Sequence, residues 1–278
     1  MHRYILLLLL LISLSFRAQT NRFIYEFNSR ADSLNPAKSM EYMVLDIDSE
    51  YAKFYPYSFL ETDSLNTQNP KEHLSMRLPD GKQLMLKRKI ESASNTNYVF
   101  AGGNYFSYKT TDLPDWRLLE EVKEENGFTL QKAIASFGGR KWEAWFAPSI
   151  NIKEGPFKFI GLPGLVFEVR DDHDNFHFKL VKNIHLAETF DSSLILETNF
   201  GKAAIPVSLK QYQKTLINAY HNLYQNFKEQ KEGSWYINTN DGKRIDKVSE
   251  LNQLIREEQI RIKRNYNPIE LDKAVEYK

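Results

Sequence analysis

The chain has 278 residues and sets 37 Lys plus Arg against 36 Asp plus Glu, for a net charge of +1. That balance exerts no general pull on nucleic acid or an anionic membrane, and a composition 42% hydrophobic and 13% aromatic supports a sizeable core, which excludes global disorder. With no Cys, disulfide frameworks, Cys-based zinc sites, thiol nucleophiles and lipid attachment through an N-terminal cysteine are excluded as well.

Residues 1–18 combine a cationic start at Arg3, an apolar run from Ile5 to Ile12 and a small residue, Ala18, before Gln19. This is the pattern of a secretory signal peptide, with cleavage expected after Ala18. The run is shorter than the ~20 residues a membrane-spanning helix needs. Loss of Arg3 and Arg17 takes the net charge from +1 to −1. No later stretch is long and apolar enough to span a bilayer, so the mature chain is expected in the periplasm or outside the cell.

Residues 19–278 read as one β-rich domain. Short runs of β-branched and aromatic residues predict strands over 23–27, 40–47, 51–57, 83–89, 98–101, 105–109, 116–122, 132–137 and 141–146. Turn residues such as Asp48-Ser49-Glu50, Gly102-Gly103-Asn104 and Gly138-Gly139 punctuate them. Residues 61–70 are polar and read as a loop, and no helical period emerges in this half.

A hairpin is predicted over 165–180, with Leu165 opposite Leu180, Phe167 opposite Phe178 and Val169 opposite Phe176. Alternation puts these six on an apolar face and sends Glu168, Arg170 and His177 toward solvent. The C-terminal quarter changes period. Leu209, Tyr212, Leu216, Ala219, Tyr220, Leu223 and Phe227 share a helical face, with a Ser208–Gln211 capping box and a stop near Gly233, predicting a helix over about 207–232. A second helix is predicted over about 247–265, with Asp246 as N-cap. The fold class is therefore α+β: a curved antiparallel sheet with two C-terminal helices packed on one side.

The segment from Gly155 to Val166 reads Gly-Pro-Phe-Lys-Phe-Ile-Gly-Leu-Pro-Gly-Leu-Val. Pro163-Gly164 suits a type II turn, and Gly155-Pro156 another bend upstream. With Gly139-Arg140, Trp142, Ala144-Trp145-Phe146 and Pro148 upstream, and Asn267-Pro268-Ile269-Glu270-Leu271 near the end, the chain resembles the GLPGLI family of exported Bacteroidetes proteins. Val166 replaces the final isoleucine, and Leu130 stands where many members carry cysteine. The resemblance assigns no activity and no catalytic residue. It implies a structural motif of Gly155, Pro156, Gly161, Leu162, Pro163, Gly164, Leu165 and Val166, and a fold similar to the open half-barrels of periplasmic carriers.

No Gly-x-Ser-x-Gly elbow or P-loop is present. Arg140 reads as a solvated turn cation. His173, His177 and His185 read as surface histidines, and the Asp171, Asp172, Asp174, Asn175 loop lacks calcium-loop spacing. No catalytic residue, metal ligand or cofactor is assigned. Trp145, Phe157 and Phe159 are the candidate binding residues, lining a groove for an apolar ligand or an envelope protein partner. The leading expectation is a non-enzymatic envelope protein serving outer-membrane transport or assembly. The alternatives are a periplasmic hydrolase using dispersed carboxylates, with Glu143 and Glu168 as the pair, and an interaction module that pairs through a sheet edge.

Overall fold

Apolar side chains recur along Thr20–Ser29, and in the computed structural model this stretch, β1, lies near the middle of a twelve-stranded sheet. The structure describes residues 19–32, 35, 37–68, 83–239 and 242–278; the expected leader and residues 69–70 of the expected loop lie outside them. β2 (Ser39–Ile47), β3 (Tyr51–Pro56), β4 (Met85–Lys89), β5 (Ser94–Ala101) and β6 (Asn104–Thr111) follow one another on one side of β1. On its other side the order runs backwards in sequence: β11 (Phe176–Leu186), β10 (Leu165–Asp171), β9 (Arg140–Ala147), β8 (Phe128–Phe137) and β7 (Arg117–Glu125). All these neighbours are antiparallel. The sheet is open, not closed into a barrel. Each strand expected between residues 23 and 146 forms, extended or trimmed by a few residues at its ends.

A helix, α1 (Tyr57–Gln68), replaces the expected polar loop. Only Phe59 and Thr62 are buried in it, and Phe59 packs with Val44 and Tyr55 on one face of the sheet. The remaining residues are too polar to betray a helical period, so tertiary packing decides this element. The β10–β11 hairpin also corrects its expected register. Val169 faces Phe178 and Arg170 faces His177, two residues away from the expected pairing. The cause is Asp171, whose carboxylate accepts the Phe176 N–H at 2.7 Å and the Asn175 amide at 3.0 Å, holding a wider turn. A two-residue shift preserves the faces, and Leu165, Val169, Phe176 and Phe178 remain buried. Phe167 sits in a bulge against β9 and packs on Phe128.

Beyond β11, β12 (Thr198–Asn199) and β13 (Lys202–Ala203) form a small ladder. β14 (Ile205–Pro206) then adds in parallel to β6. α2 (Leu209–His221) starts from the expected Ser208–Gln211 capping box and packs Tyr212 and Leu216 on Val99, Ala101 and Phe106. The long helix expected to 232 stops short: Tyr224 adopts a left-handed φ of 57°, and only a single turn, α3 (Gln225–Lys228), follows. β15 (Ile237–Asn238) and β16 (Arg244–Ile245) pair before α4 (Val248–Arg264). Asp246 is not its N-cap; Lys247 is, without a side-chain bond, while Asp246 accepts from Arg244. Leu251 and Ile255 of α4 pack with Trp235 and Ile245, so this helix covers its own connecting segment.

Candidate functional site

The motif segment after β9 folds back over one face of the sheet, here called the inner face. Phe157, Phe159 and Leu162 are buried among Tyr25, Phe27, Phe54, Trp142 and Phe178 from four strands. Phe159 is the hub, with its ring 4.4 Å from Trp142 and 6.0 Å from Phe178. An aromatic-rich loop thus fills this face of the sheet.

Two buried cations fix the loop. Arg88, on β4, bonds the Glu154 carboxylate, the Asn95 side chain at 3.0 Å and the Phe157 carbonyl at 3.3 Å. Burial raises the Glu154 carboxyl above its usual range despite this partner. Lys158 points from the loop to Asp112 at 2.8 Å and to Glu270 at 2.8 and 3.0 Å, and Lys273 closes the group by bonding the same two acids. Burial works against the charged form of Asp112, but hydrogen bonds from Lys158, Thr110 and Lys273 outweigh it and hold the carboxyl at about 2.

The glycines of the motif are explained by steric demand. The Pro163-Gly164 turn is not type II, because Gly164 lies outside the positive-φ region. The Gly164 N–H instead closes a tight turn on the Leu162 carbonyl at 2.8 Å. A Cβ on Gly164 would overlap the Ala147 carbonyl, and one on Gly155 would fall 2.7 Å from Val166 Cγ2. Gly161 is the glycine that takes a left-handed φ, at 91°. The bend at Gly155-Pro156 is closed by the Phe159 N–H on the Pro156 carbonyl, with Phe157 at φ 52°. Val166 and Leu165 carry the chain into β10, and the Tyr25 hydroxyl donates to the Val166 carbonyl at 2.6 Å.

The three candidate binding residues do not converge. Phe157 and Phe159 are 3% and 0% exposed in the core. Trp145 is half-buried on the opposite, outer face, because β9 alternates and Trp142 and Phe146 take the inner one. There its ring lies under Lys123 at 4.8 Å and Lys132 at 5.7 Å. Glu143 and Glu168 stand on the same outer surface. Glu168 bonds His177 at 2.8 Å and Lys123 at 2.6 Å, which hold it at about 2 although burial opposes them. Glu143 bonds Lys132 at 3.1 Å and Arg170 at 2.9 Å; burial raises its carboxyl, yet these cations lower it overall. Two carboxylates kept ionised hold no proton for a leaving group near neutral pH.

Arg140, expected in solvent, is buried. It bonds Asp171 at 3.3 Å, Asn267 at 2.6 Å and the Pro268 carbonyl at 2.8 Å, which ties the closing segment to the β8–β9 turn. Asp171 is therefore already committed inside the fold, and among the described residues no three His, Asp or Glu side chains are grouped to hold a metal. Among those residues, too, no helix is long and apolar enough to cross a membrane.

One open surface is an edge of the sheet. At one end, β14 pairs with Phe106 and Ser107, and Pro206, lacking an N–H, is its last residue. At the other end, among the described residues, β7 has no strand beyond it. Leu118 and Val122 on β7 are 45% and 62% exposed. A bulge between them leaves Val122–Glu125 as the regular part of the edge. The sequence marked 116–122 as a strand but gave no sign that it would be last; the mixture of Leu118 and Val122 with four glutamates was the available clue.

The model of a family described as a protein of unknown function (Porph_ging) matches residues 103–168, from the turn before β6 into β10. The search of curated proteins finds no match. Among solved structures, that of PNGF-II in the C2 space group superposes with a TM-score of 0.50 at 13% identity, covering 72% of this chain and 33% of that one. PNGF-II in the P21 space group gives 0.50 at 14% identity with the same coverage. The chain thus spans about one third of the length of the solved proteins it matches, and at this identity the likeness is one of fold: a largely antiparallel, open β-sheet with a few helices.

Proposed function

We propose that this is an exported, non-enzymatic envelope protein of the GLPGLI type, periplasmic or secreted once residues 1–18 are removed. In this reading it binds a protein partner in outer-membrane transport or assembly. The observation that carries the reading is the open edge of β7. Its unpaired backbone groups are a template for an added strand, with Leu118 and Val122 as the apolar anchors. The filled inner face argues for a partner at the edge over an apolar ligand beneath the loop. The four glutamates of β7, against Arg117 and Lys123, favour a partner segment bearing Lys or Arg.

The test replaces Leu118 and Val122 together by Lys, which guards an edge without touching the core. A photo-crosslinker placed at Glu120 in the native envelope should capture one defined protein, and the L118K/V122K variant should lose that product while keeping the wild-type thermal midpoint. Capture that survives the double substitution, or no capture at all, would refute edge pairing. N-terminal sequencing of the same material should begin at Gln19; a retained leader would refute the export reading separately.

A further inference from the structure

We propose that the cavity beneath α2 binds a neutral, hydroxyl-bearing ring of monosaccharide size. This space, distinct from the β7 edge, has a volume of about 260 Å³. Two tyrosine pairs line it: Tyr108 with Tyr212, rings stacked 5.1 Å apart, and Tyr266 with Tyr277, rings 4.9 Å apart edge to face. Phe157 of the motif loop and the Glu270–Lys273 ion pair also line it.

Three features set the class of ligand. First, charge is already neutralised. Lys273 is bonded by Glu270 at 2.6 Å and Asp112 at 3.0 Å, and Glu270 also bonds Lys158, so neither sign is left to attract an ion. Second, Tyr108, Tyr212 and Tyr277 line the cavity and their hydroxyls make no hydrogen bond among the described residues, whereas that of Tyr266 accepts the Val275 N–H at 2.8 Å. A purely apolar occupant would strip water from three phenols and return nothing, so the ligand must bring its own hydroxyls. Third, the volume is small. It sits below the ~300 Å³ at which larger ligand pockets begin, which suits one ring and not an oligomer. Aromatic walls offer flat surfaces for the C–H faces of such a ring. Burial pushes the Tyr108 and Tyr212 phenols far above their usual range and Tyr277 up to about 12, so all three stay protonated as donors.

Saturation-transfer NMR on the exported protein tests this, with glucose, N-acetylglucosamine and myo-inositol as neutral probes, glucose 6-phosphate as an anionic one and toluene as an apolar one. Transfer is expected to at least one neutral probe. The Y108F/Y212F variant, which keeps both rings, should bind it at least tenfold more weakly at an unchanged thermal midpoint. Leu216→Trp, which fills the cavity from α2, should abolish the signal. Silence from all three neutral probes, equal binding by the double variant, or a preference for glucose 6-phosphate or toluene would each overturn the assignment.

Discussion

Lys158 Nζ lies 2.8 Å from a Glu270 carboxylate oxygen, and its side chain is wholly buried. This bond joins the motif loop to a closing segment more than a hundred residues later, with Asp112 as third member. Removing the cation strands two largely buried carboxylates beside Lys273 alone. Lys158→Met is therefore expected to cost about 3 kcal/mol in urea unfolding, and the Asp112 carboxyl should rise from its value near 2, visible in a side-chain NMR titration.

The two glycines that make close approaches and the one that takes positive φ should respond differently. Gly164→Ala drives a methyl into the Ala147 carbonyl, where backbone must move. A loss of about 2–3 kcal/mol is expected. Gly161→Ala meets only Leu113 Cδ1 at 3.4 Å and has chiefly its φ of 91° to oppose it, so about 1–2 kcal/mol is expected. Equal losses in parallel denaturation curves would contradict this division.

Core and surface aromatics separate in the same way. Phe159→Ala removes the hub of the inner-face cluster, with an expected loss of about 3–5 kcal/mol. Trp145→Ala opens a half-buried outer position and should cost about 1 kcal/mol. A larger loss at Trp145 would show that the outer ladder of Lys123, Lys132 and Glu168 is a structural support.

Glu41, on β2, is the carboxyl best placed to make stability depend on pH near neutrality. Burial raises it to about 7, and its Oε2 is buried without a hydrogen-bond partner. A carboxyl raised on folding favours the native state most below about 4.5, its ordinary value. That contribution is lost as pH climbs through about 7. Glu41→Gln should therefore be more stable than the parent by roughly 2 kcal/mol at pH 8, with the two converging near pH 4. The lowered pair, Asp112 and Glu168, acts in the opposite direction: their contribution is full above the ordinary carboxylate range and falls as pH drops toward about 2.

The strands were legible in the sequence because Val, Ile, Tyr and Phe alternate on the faces they bury, and the Ser208 cap was legible because its geometry is local. α1 was not, since Phe59 is the one fully buried apolar anchor, with Tyr57 and Leu60 packed beside it, in an otherwise polar turn-rich stretch. The hairpin register escaped because one side chain, Asp171, sets the turn width, and alternation cannot distinguish a shift of two. Trp145 and the two phenylalanines looked like one surface because sequence proximity says nothing of which face a returning loop covers. The charge in Phe157-Lys158-Phe159 was the unread signal: a cation between two buried rings requires buried acids, and Asp112 and Glu270 supply them.

β1 has β2 beside it within a short stretch of chain, but its other neighbour is β11, where Thr20 meets Leu186, 166 positions later. The strand made first therefore stays half-unpaired until most of the polypeptide exists. Long-range pairing of this kind slows folding to milliseconds or longer. If the chain is exported as proposed, threaded through a membrane from its N-terminus, the β1–β11 pairing would form only after residue 186 has crossed, and that step of folding would belong to the far side.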